Sequence, residues 1–409
     1  MKLLLVSFLL LFAAAVYPAN LEIKSMQIYA GRDQLSFPVL DMKGNGPDYL
    51  TIEFDVQSGF EPNLIILFRF CDKNWKPYDN IFLTNRGKNI KYNLAYSVLP
   101  NTVKEAHYHY RGTFPDSRGD VEFPYSGKWK FYVTDSQDTS LVYGSGKFYV
   151  VYDTMNLGIT LKKEQLEDKV YFPSDLAKVF NVTAEFNLPN DLYPSNVEQL
   201  EIVDNHKIDY PIIVDRSFNT NQKQYYWDGN RKFTFTARDI LPTNEYRQLD
   251  TRNINKYTGK NVDAQFDGLE YSRFFKPGSP DMNGGELPLF YNNPNATYLN
   301  VKFSIRPPND LSEGIFLVGA FNDWKVSPYY ELRNDYGVYS IVLSLKRGVY
   351  DYQYVTGYVQ DGYVDGINWT YLEGNDWGTT NTYYVFVYYN DPNYGGYDKI
   401  IAYNKITSR

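Results

Sequence analysis

From Tyr383 to Tyr389 the chain reads Tyr-Tyr-Val-Phe-Val-Tyr-Tyr, and after a Pro/Gly/Asn turn it resumes as Tyr397-Asp398-Lys399-Ile400-Ile401. Aromatic and β-branched residues fit a pleated surface. Two such runs flanking a short turn are a hairpin signature. The run holds no obvious catalytic group. The rest of the chain behaves alike: strand alternation recurs from Asn20 to the end, and few segments keep apolar residues at i, i+3, i+4 and i+7 beyond two turns. The expected class is all-β, with tandem immunoglobulin-like β-sandwich domains. The 40 tyrosines suit it, since a Tyr ring can be buried while its hydroxyl stays wet.

A chain of 409 residues has room for two to four domains at about 100–200 residues each. Turn clusters divide it. Residues 20–153 are expected to form a first β-sandwich, with strand candidates Tyr49–Val56, Asn63–Phe70, His107–Phe114, Gly127–Thr134 and Gly146–Tyr152. Turns such as 43–47 and 115–119 separate them. Residues 154–293 are expected to form a second sandwich, with candidates Val179–Phe186, Gln199–Val203 and Lys232–Ala237. The polar stretch Arg238–Lys260 reads as a short helix or a long loop. Residues 294–409 form the expected third, early-set immunoglobulin-like domain, with candidates Tyr298–Ile305, Gly314–Val318, Val338–Leu343, Asp351–Thr356, Tyr383–Tyr389 and Lys399–Tyr403. No low-complexity linker separates the domains, so they are expected to pack closely. No solenoid or propeller period is visible.

Residues 1–19 read as a secretory signal peptide. Lys2 supplies the positive start, Leu3 to Val16 is apolar apart from Ser7, and Ala13-Ala14-Ala15 or Ala19 suits cleavage. The run is too short to span about 30 Å of hydrocarbon, and no later segment approaches that length. An exported chain without direct membrane insertion is expected. Net charge is −7 and the pI about 5.2; a nucleic-acid binder would carry a basic face, so nucleic acid is not an expected partner. Cys71 is the single cysteine. It cannot form an internal disulfide, and at the end of an apolar strand it reads as a small core residue.

Motifs for chemistry are sparse. His107 and His109 sit two apart, and on a strand they would share a face, as two ligands of a metal do. The remaining histidine, His206, falls in another expected domain, so packing or surface roles are favoured and no metal site is expected. There is no Gly-x-Ser-x-Gly elbow and no phosphate-cradling Gly-rich loop. Nothing singles out two carboxylates for glycoside hydrolysis. No catalytic residue, cofactor or turnover is expected. The segment Phe316-Leu317-Val318-Gly319-Ala320-Phe321-Asn322-Asp323-Trp324, followed by Gly348-Val349-Tyr350-Asp351-Tyr352-Gln353-Tyr354, resembles early-set immunoglobulin-like domains, including glycogen- and starch-binding modules. Trp324 would cap the sandwich. Many such modules carry Lys where this chain has Gln353, which speaks against a glycan platform.

A wider resemblance orders these pieces. Phe70-Cys71-Asp72-Lys73-Asn74-Trp75, Asn101-Thr102 through His107-Tyr108-His109-Tyr110, Ser126-Gly127-Lys128-Trp129, the Phe-Asn-x-Trp turn, Glu373-Gly374-Asn375, Thr380-Asn381-Thr382-Tyr383 and Tyr397-Asp398-Lys399 occur in the order found in the type IX secretion system plug protein family. The resemblance implies a periplasmic protein that binds the outer-membrane translocon β-barrel of the secretion system and seals it by shape, without turnover. Trp75, His107, His109, Trp324 and Tyr397 match family positions and can all be structural. No residue is assigned to partner contact. The family's usual residues differ at Phe70, Asn390 and Gly396. The competing readings are a periplasmic or surface glycan-binding β-sandwich protein, which needs exposed coplanar aromatics around Trp324, and a glycan-active enzyme with a β-sandwich accessory module.

Overall fold

A computed structural model describes residues 21–42, 46–152, 155–166, 177–273 and 276–408. The leader expected at 1–19 lies outside the described residues. The fold is all-β: regular structure is strand, with helical structure among the described residues confined to short 3-10 turns. No helix in them is long and apolar enough to cross a membrane.

The first module is a two-sheet sandwich. Strands Glu22–Ala30, Leu50–Gln57, Tyr108–Phe114 and Tyr96–Val98 make one sheet, and Val39–Asp41, Val142–Val151, Gly127–Asp135, Leu64–Cys71 and Ile90–Lys91 the other. Alternation explains the core. Leu50, Ile52, Phe54 and Val56 from one sheet meet Leu64, Ile66, Phe68 and Phe70 from the other. Each such side chain contributes about 1.5–3 kcal/mol on burial. The intervening residues Thr51, Glu53 and Asp55 are also buried, because another module covers that face.

The second module pairs the sheet Gly158–Gln165, Lys178–Asn187, Lys232–Ile240 and Lys223–Trp227 with the sheet Ile212–Asp215, Val197–Asp204, Thr382–Asp391 and Tyr397–Thr407. Here the structure corrects an expectation. The C-terminal hairpin, placed by sequence in the third domain, pairs with Val197–Asp204: Leu200 opposes Val387 and Ile202 opposes Val385. The physical reason lies in its two apolar faces. Tyr383, Val385, Val387 and Tyr389 enter the second core. Tyr384, Phe386, Tyr388 and Ile400 pack against Phe37, Trp75, Tyr149 and Val151 of the first module. A strand that is apolar on both sides needs cover on both sides, and only a position between two modules supplies it. Tyr149 stacks on Phe386 at 4.3 Å and Phe37 on Tyr384 at 4.0 Å.

The third module is inserted into the second. Its first sheet is built on Gly348–Gln360, which pairs with Arg247–Asp250, Glu286–Pro288, Gly314–Gly319 and Tyr363–Asn368. The second sheet holds Asn261–Asp263, Tyr298–Arg306, Val338–Lys346 and Arg333–Asp335, with Glu270–Tyr271 added to Tyr298–Arg306. The strands Arg247–Asp250, Asn261–Asp263, Glu270–Tyr271 and Glu286–Pro288 therefore belong with the third module, not with the second as expected. The stretch 238–260 contains the end of the strand Lys232–Ile240 and the whole of Arg247–Asp250, without a helix.

Chain enters and leaves the insertion through a narrow neck. Thr243 N donates to Asn375 Oδ1 at 2.8 Å, Asp376 N to Thr243 O at 2.8 Å, and Asn381 Nδ2 to Pro242 O at 2.6 Å. Asn375 and Asn381, which carry part of the family resemblance, thus fasten the two connections side by side.

Candidate functional site

The chemistry-bearing side chains gather where modules meet. Trp75 follows the strand Leu64–Cys71 on a tight turn in which Asp72 Oδ1 accepts from Asn74 N and Lys76 N, both at 2.8 Å. The turn holds Trp75 at φ 65, a left-handed conformation that bulky residues rarely adopt. The strain, about 1–3 kcal/mol for such sites, swings the indole against Tyr149, 5.2 Å away edge-on, and under Lys128 Nζ, 4.6 Å from the ring. Lys128 is the centre of this contact. Its Nζ donates to Glu201 Oε2 and to Lys73 O, both at 2.7 Å, while Tyr149 donates to Glu201 Oε1 at 2.8 Å. Burial pulls the Lys128 ammonium below its ordinary range, with Glu201 opposing. This ion pair joins the first module to the second. Tyr397 completes the junction: its ring meets Phe70 and Tyr125, and Lys73 N donates to Asp398 Oδ2 at 2.8 Å.

His109 and His107 part company. His107 precedes the strand Tyr108–Phe114 and is exposed, whereas His109 is buried within it. The shared face expected of the pair does not form, because only one of the two lies in the strand. His109 faces Asp55 and Glu53 of the neighbouring strand. Its Nδ1 lies 2.7 Å from Asp55 Oδ1, and its Nε2 lies 3.6 Å from Glu53 Oε2. Asp55 Oδ2 accepts from Tyr298 OH at 2.8 Å and Lys346 Nζ at 2.7 Å, both of the third module. Glu53 Oε1 accepts from Tyr29 OH at 2.9 Å and Gln34 Nε2 at 3.0 Å. Tyr291 of the third module stacks on the imidazole at 4.4 Å. Burial alone would raise both carboxyls, but the neighbouring His109, and for Asp55 the Lys346 charge, hold them below the usual range. Among the described residues no group of three or more His, Cys, Asp or Glu is placed to hold a metal ion.

Trp324 is buried at 1% exposure. Its Nε1 donates to Gly284 O at 2.8 Å and its ring lies 4.2 Å from Tyr246. A ring so enclosed offers no face to a sugar, so the platform that the glycan reading places at Trp324 is not there. A further charge network fixes the insertion itself: Arg247 meets Glu373 at 2.9 Å and Glu270 at 2.8 Å, and Arg273 meets Glu373 at 2.9 Å.

All three modules line one cavity of about 330 Å³, with Lys130 and Lys147 from the first, His206 and Asp209 from the second, and Glu286 and Asp323 from the third. Burial, then the Asp323 charge, pushes Glu286 up to about 8. Burial drives His206 down to about 4. A Glu raised in the fold costs stability as pH climbs from its unfolded value toward 8, because the unfolded carboxyl ionises first. Glu286→Gln removes that loss. Relative to wild type, its urea midpoint is expected to gain on going from pH 5 to pH 8, by the equivalent of about 1–3 kcal/mol. An unchanged difference between the two pH values would count against the assignment.

Sequence reasoning missed Glu53, Asp55, Lys128, Glu201, Arg247, Tyr298, Lys346 and Glu373. Lys128 and Glu373 fall in segments that carry the family resemblance; for Glu53 and Asp55 the one signal was a charge between apolar neighbours, Ile52-Glu53-Phe54-Asp55-Val56, and strand alternation reads that as a solvent face.

The family model for the type 9 secretion system plug protein 1st domain matches residues 23–152, the extent of the first module. The kinship expected from the sequence is thereby supported over that module. Among solved structures, the crystal structure of a hypothetical protein from Parabacteroides merdae superposes with a TM-score of 0.74 at 19% identity, covering 94% of this chain and 97% of that one. At that identity the likeness shows the fold alone. A bacterial ice-binding adhesin aligns over 95% of this chain and 97% of its own at 8% identity, with a TM-score of 0.15 that carries no argument. No curated protein matches.

Proposed function

We propose that this chain is a periplasmic plug that binds and seals the outer-membrane translocon β-barrel of a type IX secretion system, exported by its N-terminal signal and acting by occlusion without turnover. The observation that carries this reading is the match of the first module to the plug protein 1st domain. The junctions add physical support. A plug must resist deformation, and here buried ion pairs tie the first module to both others: Lys128 with Glu201, and Lys346 with Asp55. Such pairs fix relative orientation, since any slip leaves a buried charge unpaired. Exposed aromatic rings remain to anchor a partner, among them Phe82 and Tyr394, which stack at 5.8 Å across the first and second modules. Large aromatics are the commonest interface anchors.

Affinity purification of the tagged chain from envelope membranes tests the reading. Co-recovery of a very large β-barrel is the expected result. Cells lacking the chain are expected to admit large antibiotics or dyes. A preparation without any barrel, together with unaltered permeability of the deletion strain, would overturn the proposal.

A further inference from the structure

We infer that one end of the first sandwich is the surface that docks on the translocon, and that it takes a protein surface apolar at its centre and basic at its border. The inference rests on the plug reading and says which face of the chain binds. Strand ends define the place. Leu50–Gln57 finishes where the turn to Leu64–Cys71 begins, Gly127–Asp135 where the turn to Val142–Val151 begins, and Tyr96–Val98 where the turn to Tyr108–Phe114 begins. The register gathers these ends: Val56 opposes Tyr108, Tyr108 opposes Val98, Leu64 opposes Asp135 and Thr134 opposes Val142. Ser136 N donates to Asn63 O at 3.1 Å, which ties two of the turns together.

Four large apolar side chains stand out of this end. Val98 is 74% exposed, Phe60 66%, Val142 52% and Leu141 50%. One such residue is ordinary on a surface, whereas a group of them marks an interaction site. The turns hold their shape without them. Asp135 Oδ1 accepts from Gln137 N at 2.8 Å and Asp138 N at 3.1 Å, Asp138 Oδ1 accepts from Ser140 N at 3.0 Å, and Phe60 N donates to Ser58 Oγ at 3.4 Å. The apolar side chains are therefore free to serve a partner. Phe82 and Tyr394 lie beyond the opposite end, where Tyr125 precedes Gly127–Asp135, and they already cover one another.

Charge selects the occupant. Glu61 follows Phe60, and Asp135 and Asp138 lie on the turn that ends at Leu141. None of the three has an ion-pair partner among the described residues. Glu22, which opposes Gln57 at this end, is held by Lys24 at 3.3 Å. Lys104 is exposed on the turn between Val98 and Tyr108, but that turn leans on the third module through Val103 and Ala106, which pack with Tyr298. The border beside Phe60 and Leu141 is thus acidic. A membrane surface is a poor match, because anionic lipid attracts Lys and Arg and repels carboxylates. A second copy is a poor match too: a two-fold contact sets each patch against itself, and the acidic borders would meet. A protein surface with Lys or Arg around an apolar centre meets both requirements.

Binding of the full chain to the detergent-solubilised barrel from envelope membranes tests the surface. Phe60→Ser combined with Leu141→Ser is expected to weaken the affinity by about tenfold or more, the scale of a lost interface anchor. Glu61→Lys is expected to slow association about two- to fivefold at low salt. Phe218→Ser, at a side chain 70% exposed on the second module, should leave the affinity unchanged. If the double variant disturbs the fold, Val98→Ser with Val142→Thr carries the same test. Wild-type affinity in a folded double variant overturns this surface and leaves the plug reading standing, whereas a wild-type chain that binds no barrel overturns both. Two further arms identify other occupants. Flotation with phosphatidylglycerol vesicles that the double variant abolishes, or a dimer in sedimentation that it dissolves, would assign this end to a membrane or to a second copy and overturn the proposal.

Discussion

Glu201→Ala is expected to destabilise the protein by about 3–5 kcal/mol, the scale on which removal of one partner from a buried ion pair acts. Side-chain exposures are 2% for Lys128 and 0% for Glu201, so water cannot replace the lost carboxylate. Tyr149 would lose the acceptor of its hydroxyl at the same stroke. What remains around the ammonium is Lys73 O and the rings of Trp75, Tyr149 and Tyr388, the last 5.5 Å away. A desolvated cation–π contact is worth about 2 kcal/mol, less than the pair supplies. Two controls isolate the cause. Lys128→Met combined with Glu201→Gln leaves no buried charge and should recover most of the loss. Glu122→Ala removes an exposed partner of Lys88 and should change stability by no more than about 1 kcal/mol. Urea unfolding followed by tryptophan fluorescence reads all three. A midpoint for Glu201→Ala equal to wild type would refute the lock between the first and second modules.

The reading of single strands from the sequence succeeded where a residue's own neighbours decide the outcome. The strand Leu50–Gln57 lies within one residue of the candidate Tyr49–Val56, and Tyr298–Arg306 within one of Tyr298–Ile305. Period-2 alternation reports each side chain's burial, and burial is what makes a strand. It does not report the partner. Thr382–Asp391 carries no mark naming Val197–Asp204, almost two hundred residues earlier, rather than the adjacent strands of the third module. Nor did His109 announce its setting. The i, i+2 spacing with His107 suggested a shared face, while the decisive neighbours, Glu53 and Asp55, lie on another strand and looked solvated. Trp324 was easier, because a buried cap at the end of Gly314–Gly319 depends on the local turn, where Asp323 and Trp324 both take positive φ.

Deleting residues 382–409 is expected to unfold the second module while the third survives. A tandem order of domains would give the opposite, since the hairpin would then be lost from the third. In the observed fold the deletion removes two of the four strands of one second-module sheet, and with them Tyr383, Val385, Val387, Tyr389, Ile401 and Ala402 from its core. The third-module core, built around Leu299, Val301, Phe303, Tyr350, Tyr352 and Tyr354, includes none of the deleted residues. Hydrogen exchange should therefore lose protection along Lys178–Asn187 and Lys232–Ile240 and keep it along Tyr298–Arg306 and Gly348–Gln360. Phe386→Ala is the milder form of the same test. Phe386 is fully buried, stacked between Tyr149 of the first module at 4.3 Å and Tyr403 at 5.0 Å, and truncation of such a side chain costs about 3–5 kcal/mol. Because it lies on the outer face of the hairpin sheet, its loss should weaken the grip of the first module before the second core is touched. Exchange should accelerate first in Val142–Val151, and only later in Lys178–Asn187; the reverse order would place the hairpin's outer face against something other than the first module.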